Sequence, residues 1–338
     1  LHVHDLPAGF PLLDSGGIRD FAAARNFSFS LCTGAWVLWL DADDIVPGVE
    51  AQLATASRDR SPPSAVPTSP HPTADSVTLT DFLRSLPKQF NAVVFDYHYL
   101  IDGRGSVLTN SARTRIVRPK ERWAWTTWGL QCHEDLVPLP PTVPTIARLT
   151  NFYIEHRPTQ TIEERLARNE AILRDALLMG ADNWRLRYYR AGAAEQRRDL
   201  PAALCEYEAA IPLVQGDEER YVTFHCMARV LRALGRPNEA LSAALFAYHM
   251  SPDRQEAIAD LIHACVEIGN VHKAAWWYER LKDAPPRRSD AVSEWNAYET
   301  DLWPHVAAAR AYIAIGDFEK ASVAARRAVD FAPYDVQA

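Results

Sequence analysis

Hydrophobic and polar positions follow two different patterns along this chain, and the pattern changes near residue 160. Before that point apolar residues come in short runs. Residues 35–40 are continuously apolar and predict a buried parallel strand. Residues 91–100 predict a second strand, 113–118 its hairpin partner, and 147–154 a further short strand. This part of the chain therefore predicts an α/β domain.

After residue 160 the apolar residues recur at helical spacing. Thr161-Ile162-Glu163-Glu164 is a capping-box signature, which predicts the start of a helix. A turn then recurs at 198, 235, 269 and 316, with offsets of 37, 34 and 47 residues, and the longest offset accommodates an insertion at 285–288. Five residues after each turn comes an alanine, where two helices must approach closely: Ala203, Ala240, Ala274 and Ala321. The 34-residue offset is typical of tetratricopeptide repeats, so this part predicts an all-α solenoid that presents a surface to a partner.

Three carboxylates follow the apolar run, in the sequence Asp41-Ala42-Asp43-Asp44. Open α/β sheets bind ligands at the carboxyl ends of their strands, and clustered oxygen ligands suit a hard divalent cation that also holds phosphates. The sequence therefore predicts a metal–diphosphate site here. The alternative is an acidic turn after an edge strand. An EF-hand is excluded because Val46 stands where that loop needs glycine.

The segment from Arg25-Asn26 to Asp41-Ala42-Asp43 resembles family 2 glycosyltransferases, whose nucleotide-sugar domain has an "ARN" helix followed by a strand that ends in D-x-D. The resemblance covers roughly residues 1–160 and implies a GT-A fold. It implies that Asp43 binds Mg²⁺ or Mn²⁺ at the donor diphosphate, while Asp41 contacts the ribose or supports the metal. Arg25 and Asn26 would face the nucleotide, although a plain surface charge is the alternative for Arg25.

The same resemblance assigns further roles downstream. A His-Glu pair lies on the acceptor side in such transferases, so Glu134 is the expected general base and His133 its neighbour, with Asp135 as the alternative base. His156 is expected to complete the metal shell, and the alternative is a core histidine. Trp128 is expected to stack on the acceptor, although large aromatics also fill cores beside sheets.

The chain opens on Leu1-His2-Val3-His4, and its first methionine is Met179. A doubly wound nucleotide domain normally begins with a strand–helix–strand unit, and only the end of such a unit fits before Asp20. We therefore expect an N-terminally incomplete domain. The resemblance implies that the missing part holds the first strand and an acidic residue that reads the nucleotide base.

Composition narrows the class of protein. The formal net charge of −7 argues against a nucleic-acid binder. Five dispersed cysteines without a C-x-x-C pair are typical of reduced thiols in a cytoplasmic protein. No apolar run approaches the roughly 20 residues that span a bilayer.

The sequence thus predicts a partial GT-A-like α/β domain at 1–160 and a tetratricopeptide-like α-helical domain at 161–338. The expected function is metal-dependent transfer of a sugar from a nucleotide diphosphate donor to an acceptor, with a peptide or protein held by the repeats. The alternative is a non-catalytic tetratricopeptide interaction scaffold that carries a degenerate or truncated transferase domain.

Overall fold

The computed structural model describes residues 21–41, 44–46, 79–101, 107–126, 134–157, 160–284 and 295–331. These residues divide into two compact units. The first contains the described residues of 21–101 and 110–168, and the second contains 107–109 and 169–331. Three of the expected site residues, Asp43, Trp128 and His133, lie outside the described part.

The first unit is built on a mixed sheet. Its strands are β1 (Val37–Leu38), β2 (Asp44–Ile45), β3 (Ala92–Ile101), β4 (Val107–Val117) and β7 (Ile146–His156), and a separate pair is formed by β5 (Trp123–Thr126) and β6 (Asp135–Pro138). The order in the sheet is β1-β4-β3-β7-β2. Strands β3 and β7 are parallel, whereas β1 pairs antiparallel with β4 and β2 antiparallel with β7. This topology brings β2 and the end of β7 together, with Asp44 opposite His156.

The described residues of the first unit include the helices α1 (Phe21–Leu31) and α2 (Leu79–Ser85). Three consecutive alanines favour helix at the start of α1. Ala22 and Phe29 are buried with Val37, Trp123 and Trp125, so α1 lies against β1 and β5. A second cluster around α2 buries one face of the sheet, including Phe95, Leu149 and Ile154.

The structure corrects the interpretation of residues 35–40. The strand is only two residues long, pairs antiparallel, and ends the strand order among the described residues. Val37 is 4% exposed but Leu38 and Leu40 are each 41% exposed, so a buried parallel strand is wrong here. A continuous apolar run does not distinguish a strand covered on both faces from one covered on a single face. The strands expected at 91–100, 113–118 and 147–154 are confirmed as β3, β4 and β7.

The second unit is helical. Helix α3 (Ile162–Leu178) runs across the division between the units, and the remaining helices are α4 (Trp184–Gln196), α5 (Leu200–Ala210), α6 (Asp217–Ala233), α7 (Pro237–Met250), α8 (Gln255–Glu267), α9 (Val271–Asp283), α10 (Trp303–Ile315) and α11 (Phe318–Phe331). A short strand β8 (Trp295–Asn296) and a π-helical turn (Tyr298–Leu302) precede α10. The capping box of α3 is confirmed, because the Thr161 and Glu164 side chains accept from each other's backbone N–H groups at 3.2 and 2.9 Å.

Helices α4 to α11 form four helix–turn–helix pairs, α4–α5, α6–α7, α8–α9 and α10–α11. The residue that closes each turn has a left-handed backbone: φ is 60° at Arg198, 71° at Gly235, 79° at Gly269 and 89° at Gly316. The alanine five residues later is buried in every pair, with exposures of 0% at Ala203, 0% at Ala240, 0% at Ala274 and 5% at Ala321. The predicted repeat register is therefore confirmed. Among the described helices, none combines the length and apolarity that a bilayer crossing needs.

Candidate functional site

Arg25 brings together two of the residues that the sequence singled out. It lies in the middle of α1, and its guanidinium donates from Nη2 to Asp41 Oδ1 at 2.6 Å and from Nε to Glu134 Oε1. The same guanidinium lies over the rings of Trp39 and Trp125, 4.8 and 4.7 Å from their centroids. Burial alone would lower the pKa of Arg25, but Asp41 and Glu134 raise it above its ordinary value. Arg25 is thus a fixed cation between two carboxylates.

Asp44 is the buried anchor of the acidic turn. Its side chain is fully buried and accepts hydrogen bonds from Arg115 Nη1 at 3.0 Å, from the Tyr97 hydroxyl at 2.8 Å and from the Asp41 backbone N–H at 2.9 Å. Burial would raise the pKa of Asp44, but His156 and Arg115 hold it below its ordinary value. These three hydrogen bonds satisfy the buried Asp44 carboxylate and thereby fix the conformation of the acidic turn.

Arg115 is the most deeply buried cation of this cluster. Its side chain is 2% exposed and is sandwiched between Trp39 and Tyr97, 3.8 and 4.3 Å from the two ring centroids. It also lies 3.9 Å from Asp41 Oδ2. Burial lowers the pKa of Arg115, and the neighbouring acids oppose that shift. Cation–π contacts are strongest when desolvated, so this sandwich stabilises the charge where water is excluded.

The sequence did not single out Asp44, Arg115 or Tyr97. Asp44 belongs to the acidic run, but the D-x-D spacing directs attention to its neighbours. Arg115 alternates with Arg113 along β4, and alternation alone does not tell which face of the strand is covered. One signal in the sequence pointed to Asp44: the acidic run has three aspartates, whereas the D-x-D motif uses two.

The other expected residues have different surroundings. Asn26 ties α1 to β5, since its side chain accepts from the Trp125 N–H at 2.8 Å and donates to the Trp125 carbonyl at 3.0 Å. His156 stacks on Tyr99 with ring centroids 4.9 Å apart, and its Nδ1 is 3.7 Å from Asp44 Oδ1. Asn26 therefore has an architectural role in this structure, and His156 lies beside Asp44.

The described residues do not assemble the metal centre that the resemblance implies. Asp41 faces two guanidinium groups and Glu134 faces one, so their charge is already offset by fixed cations. Within the described part of the chain, no group of three or more His, Cys, Asp or Glu side chains is arranged to hold a metal ion. A divalent cation at Asp41 would be repelled by Arg25 and Arg115 at these positions.

The second unit has a cluster of its own, which we call the polar ladder: Glu195, Arg229, His225, Asp260 and Glu299. It crosses the first helices of three pairs, from α4 through α6 to α8. Arg229 donates to Glu195 at 2.9 Å and to Glu299 at 2.8 Å. His225 lies between Asp260, 2.6 Å from Nδ1, and Glu299, 3.4 Å from Nε2.

Electrostatics in the polar ladder favour the charged forms. Burial opposes ionisation of His225, yet Asp260 and Glu299 raise its pKa well above its ordinary value. Burial would likewise raise the pKa of Glu299, but His225 and Arg229 lower it to about 2. Acidic and basic side chains thus alternate along the polar ladder, and the ionised form of each is stabilised by its oppositely charged neighbours.

A crevice of about 290 Å³ lies between α3, α4 and α5. Two of its three arginines are paired with its acids, Arg190 with Glu206 at 2.6 Å and Arg197 with Glu170 at 2.5 Å. These pairs offset most of the charge of the crevice. The polar ladder is the more informative site of the second unit.

The helix pairs, their left-handed turns and their buried alanines define the second unit as a tetratricopeptide-like helical array. No family model matches this chain, and no curated protein matches it. Among solved structures, the chain is similar to YrrB, a TPR protein with an unusual peptide-binding site, at 18% identity and a TM-score of 0.40, covering 52% of this chain and 82% of YrrB.

Two other solved structures give similar figures. Pseudomonas aeruginosa PilF is 14% identical with a TM-score of 0.41, covering 52% of this chain and 72% of PilF. MamA from Desulfovibrio magneticus RS-1 is 11% identical with a TM-score of 0.41, covering 52% of this chain and 89% of that one. The left-handed turns and buried alanines of this chain, and not these low TM-scores, are the evidence for a tetratricopeptide-like array.

Proposed function

We propose that the helical array is an interaction scaffold that binds a peptide segment of a partner protein along its first helices. The polar ladder carries this proposal. Largely buried charges are costly and add little net stability over apolar packing, and their concentration on these helices supports a role in binding. The array's core is otherwise apolar, since it consists of alanine, larger aliphatic, sulfur-containing and aromatic side chains.

Peptide selection followed by hydrogen exchange tests this function. Peptides are selected from a random library on the full chain, and amide exchange is then compared with and without the best binder. We expect slower exchange in α4, α6 and α8, which carry the polar ladder. Selection of no peptide, or protection confined to the second helices α5, α7 and α9, would refute the proposal.

A second candidate function is transfer of a sugar from a nucleotide diphosphate donor, with the array holding a peptide or protein acceptor. One observation favours it: Arg25, Asp41 and Glu134, which the glycosyltransferase resemblance selected from separate segments, meet at one guanidinium. In this proposal Asp41 and Asp43 bind the donor with Mn²⁺ or Mg²⁺, and Glu134 takes the acceptor proton. Arg25 would have to move from Asp41 for a cation to bind there.

Nucleoside diphosphate binding tests the donor site directly. We expect UDP or GDP to bind the chain more tightly with Mn²⁺ than with chelator, and Asp43→Asn to remove the difference. Asp81→Asn, an exposed acid on α2, is the control. Equal binding with and without Mn²⁺ in the unmutated chain would leave the scaffold as the function of this protein.

Glu134→Gln separates binding from chemistry in the same candidate. The amide keeps the shape of the side chain and cannot accept the proton, so transfer should fall by about two to four powers of ten while donor affinity persists. Transfer is measured with the donor that binds best. Unchanged transfer would assign the base to Asp135 or to no side chain.

A further inference from the structure

Glu299 belongs to a segment outside the repeat pattern. The left-handed turns of the first three pairs are 37 and 34 residues apart, whereas the last follows after 47. The extra residues precede α10 and include the π-helical turn Tyr298–Leu302. Thr300 and Leu302 are buried, so this turn is packed into the array, and it carries Glu299 to the first helices.

Glu299 occupies a position defined by two cations on one face of α6. Arg229 Nη1 donates to Glu299 Oε1 at 2.8 Å, and His225 Nε2 lies 3.4 Å from Glu299 Oε2. His225 and Arg229 are four residues apart, so their side chains lie side by side on the helix. The two oxygens of one carboxylate therefore contact two cations.

Each cation also has a second partner that does not come from the insertion. Arg229 keeps Glu195, and His225 keeps Asp260. If the Glu299 carboxylate moved away, both cations would stay paired while Nη1 and Nε2 pointed at a vacant position. Arg229 is 33% exposed and Glu299 13%, so a ligand can approach from the Arg229 side.

We propose that His225 and Arg229 form a carboxylate-binding position for an acidic side chain of the bound peptide, and that Glu299 fills this position in the free chain. The proposal rests on the peptide-binding function proposed above. Replacing one carboxylate by another keeps an ionised acceptor at both Arg229 Nη1 and His225 Nε2, whereas a neutral side chain would offset neither charge. Charge complementarity therefore selects Asp or Glu in the peptide. The lowered pKa of Glu299 agrees, since the position stabilises an ionised carboxylate.

Matched peptide pairs test the proposal on the full chain. Each selected peptide is compared with a version in which one Glu or Asp is replaced by Gln or Asn. In the unmutated chain the acidic peptide should bind more tightly than its amide version. Glu299→Ala removes the internal competitor, so it should tighten the acidic peptide by roughly tenfold and leave the amide peptide unchanged.

Three further variants separate this effect from general disturbance. Glu299→Gln keeps the volume of the side chain and should give the same direction of change. Glu319→Ala removes an exposed acid of α11 and should change neither affinity. Arg229→Gln should abolish the preference for the acidic peptide, with circular dichroism showing that the helices persist.

The outcomes distinguish the two proposals. If no peptide binds the unmutated chain or Glu299→Ala, the peptide-binding function itself fails. If peptides bind but acidic and amide versions bind equally, the carboxylate position is refuted while the scaffold function stands. The same conclusion follows if both Glu299 variants bind the acidic peptide no more tightly than the unmutated chain does.

Discussion

Arg198 closes the first turn of the array with φ of 60°, where the next three turns have glycine. A side chain with Cβ in the left-handed region costs about 1–2 kcal/mol, because Cβ approaches the following carbonyl oxygen. Glycine avoids that contact but loses more backbone entropy on folding, by about 0.4–1 kcal/mol. The first pair therefore carries strain that the other pairs do not.

Arg198→Gly should stabilise the array by up to about 1 kcal/mol, the difference between relieved strain and added entropy. Urea unfolding followed by circular dichroism measures it. The matched control is Gly235→Ala, which introduces Cβ at φ of 71° in the second turn and should destabilise. Nothing lies within 4 Å of that added Cβ, so the control reports the backbone alone. A loss of stability in Arg198→Gly would contradict the account.

At the scale of the element, each helix pair depends on one small side chain where its two helices meet. Ala240 is fully buried, whereas the Glu239 side chain is 57% exposed and pairs with Arg236 on the surface. Ala240→Leu should cost about 1–3 kcal/mol, because extra volume in a close-packed interior forces strain. Glu239→Leu should cost little. Chemical unfolding compares the two, and the reverse order would overturn the helix register.

His225 should make the stability of the array depend on pH. It faces Asp260 from α8 and Glu299 from the π-helical turn, with Arg229 on its own helix and the Tyr221 ring stacked on it. These acids raise its pKa above the ordinary 6.5. The folded state therefore binds a proton that the unfolded state releases above that value. Its contribution is fully present below pH 6.5 and is lost as pH rises through the raised pKa.

Free energies of unfolding measured from pH 6 to pH 9 check this expectation. The unmutated chain should lose stability with rising pH more steeply than His225→Gln, which cannot be protonated. The difference between the two curves isolates His225, because the buried His263, whose pKa is lowered, is present in both proteins. Parallel curves would show that the contacts of His225 contribute no pH-dependent stability.

At the scale of the whole molecule, the two units have separate cores. The first includes Phe95, Leu149 and Ile154, and the second is the alanine-rich cluster of the array. Calorimetry of the full chain should therefore resolve two transitions. Ile154→Val should lower only one of them, at a cost of about 0.5–1.5 kcal/mol. Ala240→Leu should lower only the other. A single transition that moves with both substitutions would show that the units unfold together.

The sequence determined the features that depend on local patterns. The capping box of α3, the strands β3, β4 and β7, and the register of the array follow from periodicity, turn residues and alanine spacing, because near neighbours in the chain decide them. The insertion expected at 285–288 lies outside the described residues. The apolar run before Asp41 was misread, since its composition does not reveal how many of its faces are covered.

Only the tertiary structure decided which charges meet. Arg25 reaches Glu134 across 109 positions, and Glu299 reaches Arg229 across 70 positions. Burial of Asp44 and Arg115 depends on sheet order, which pairs β2 with β7 and β1 with β4. A charge is stable inside a protein only where a partner from elsewhere in the fold arrives within hydrogen-bond distance. Three-dimensional packing decides where that condition is met, so the order of residues along the chain does not predict the ion pairs of either charged cluster.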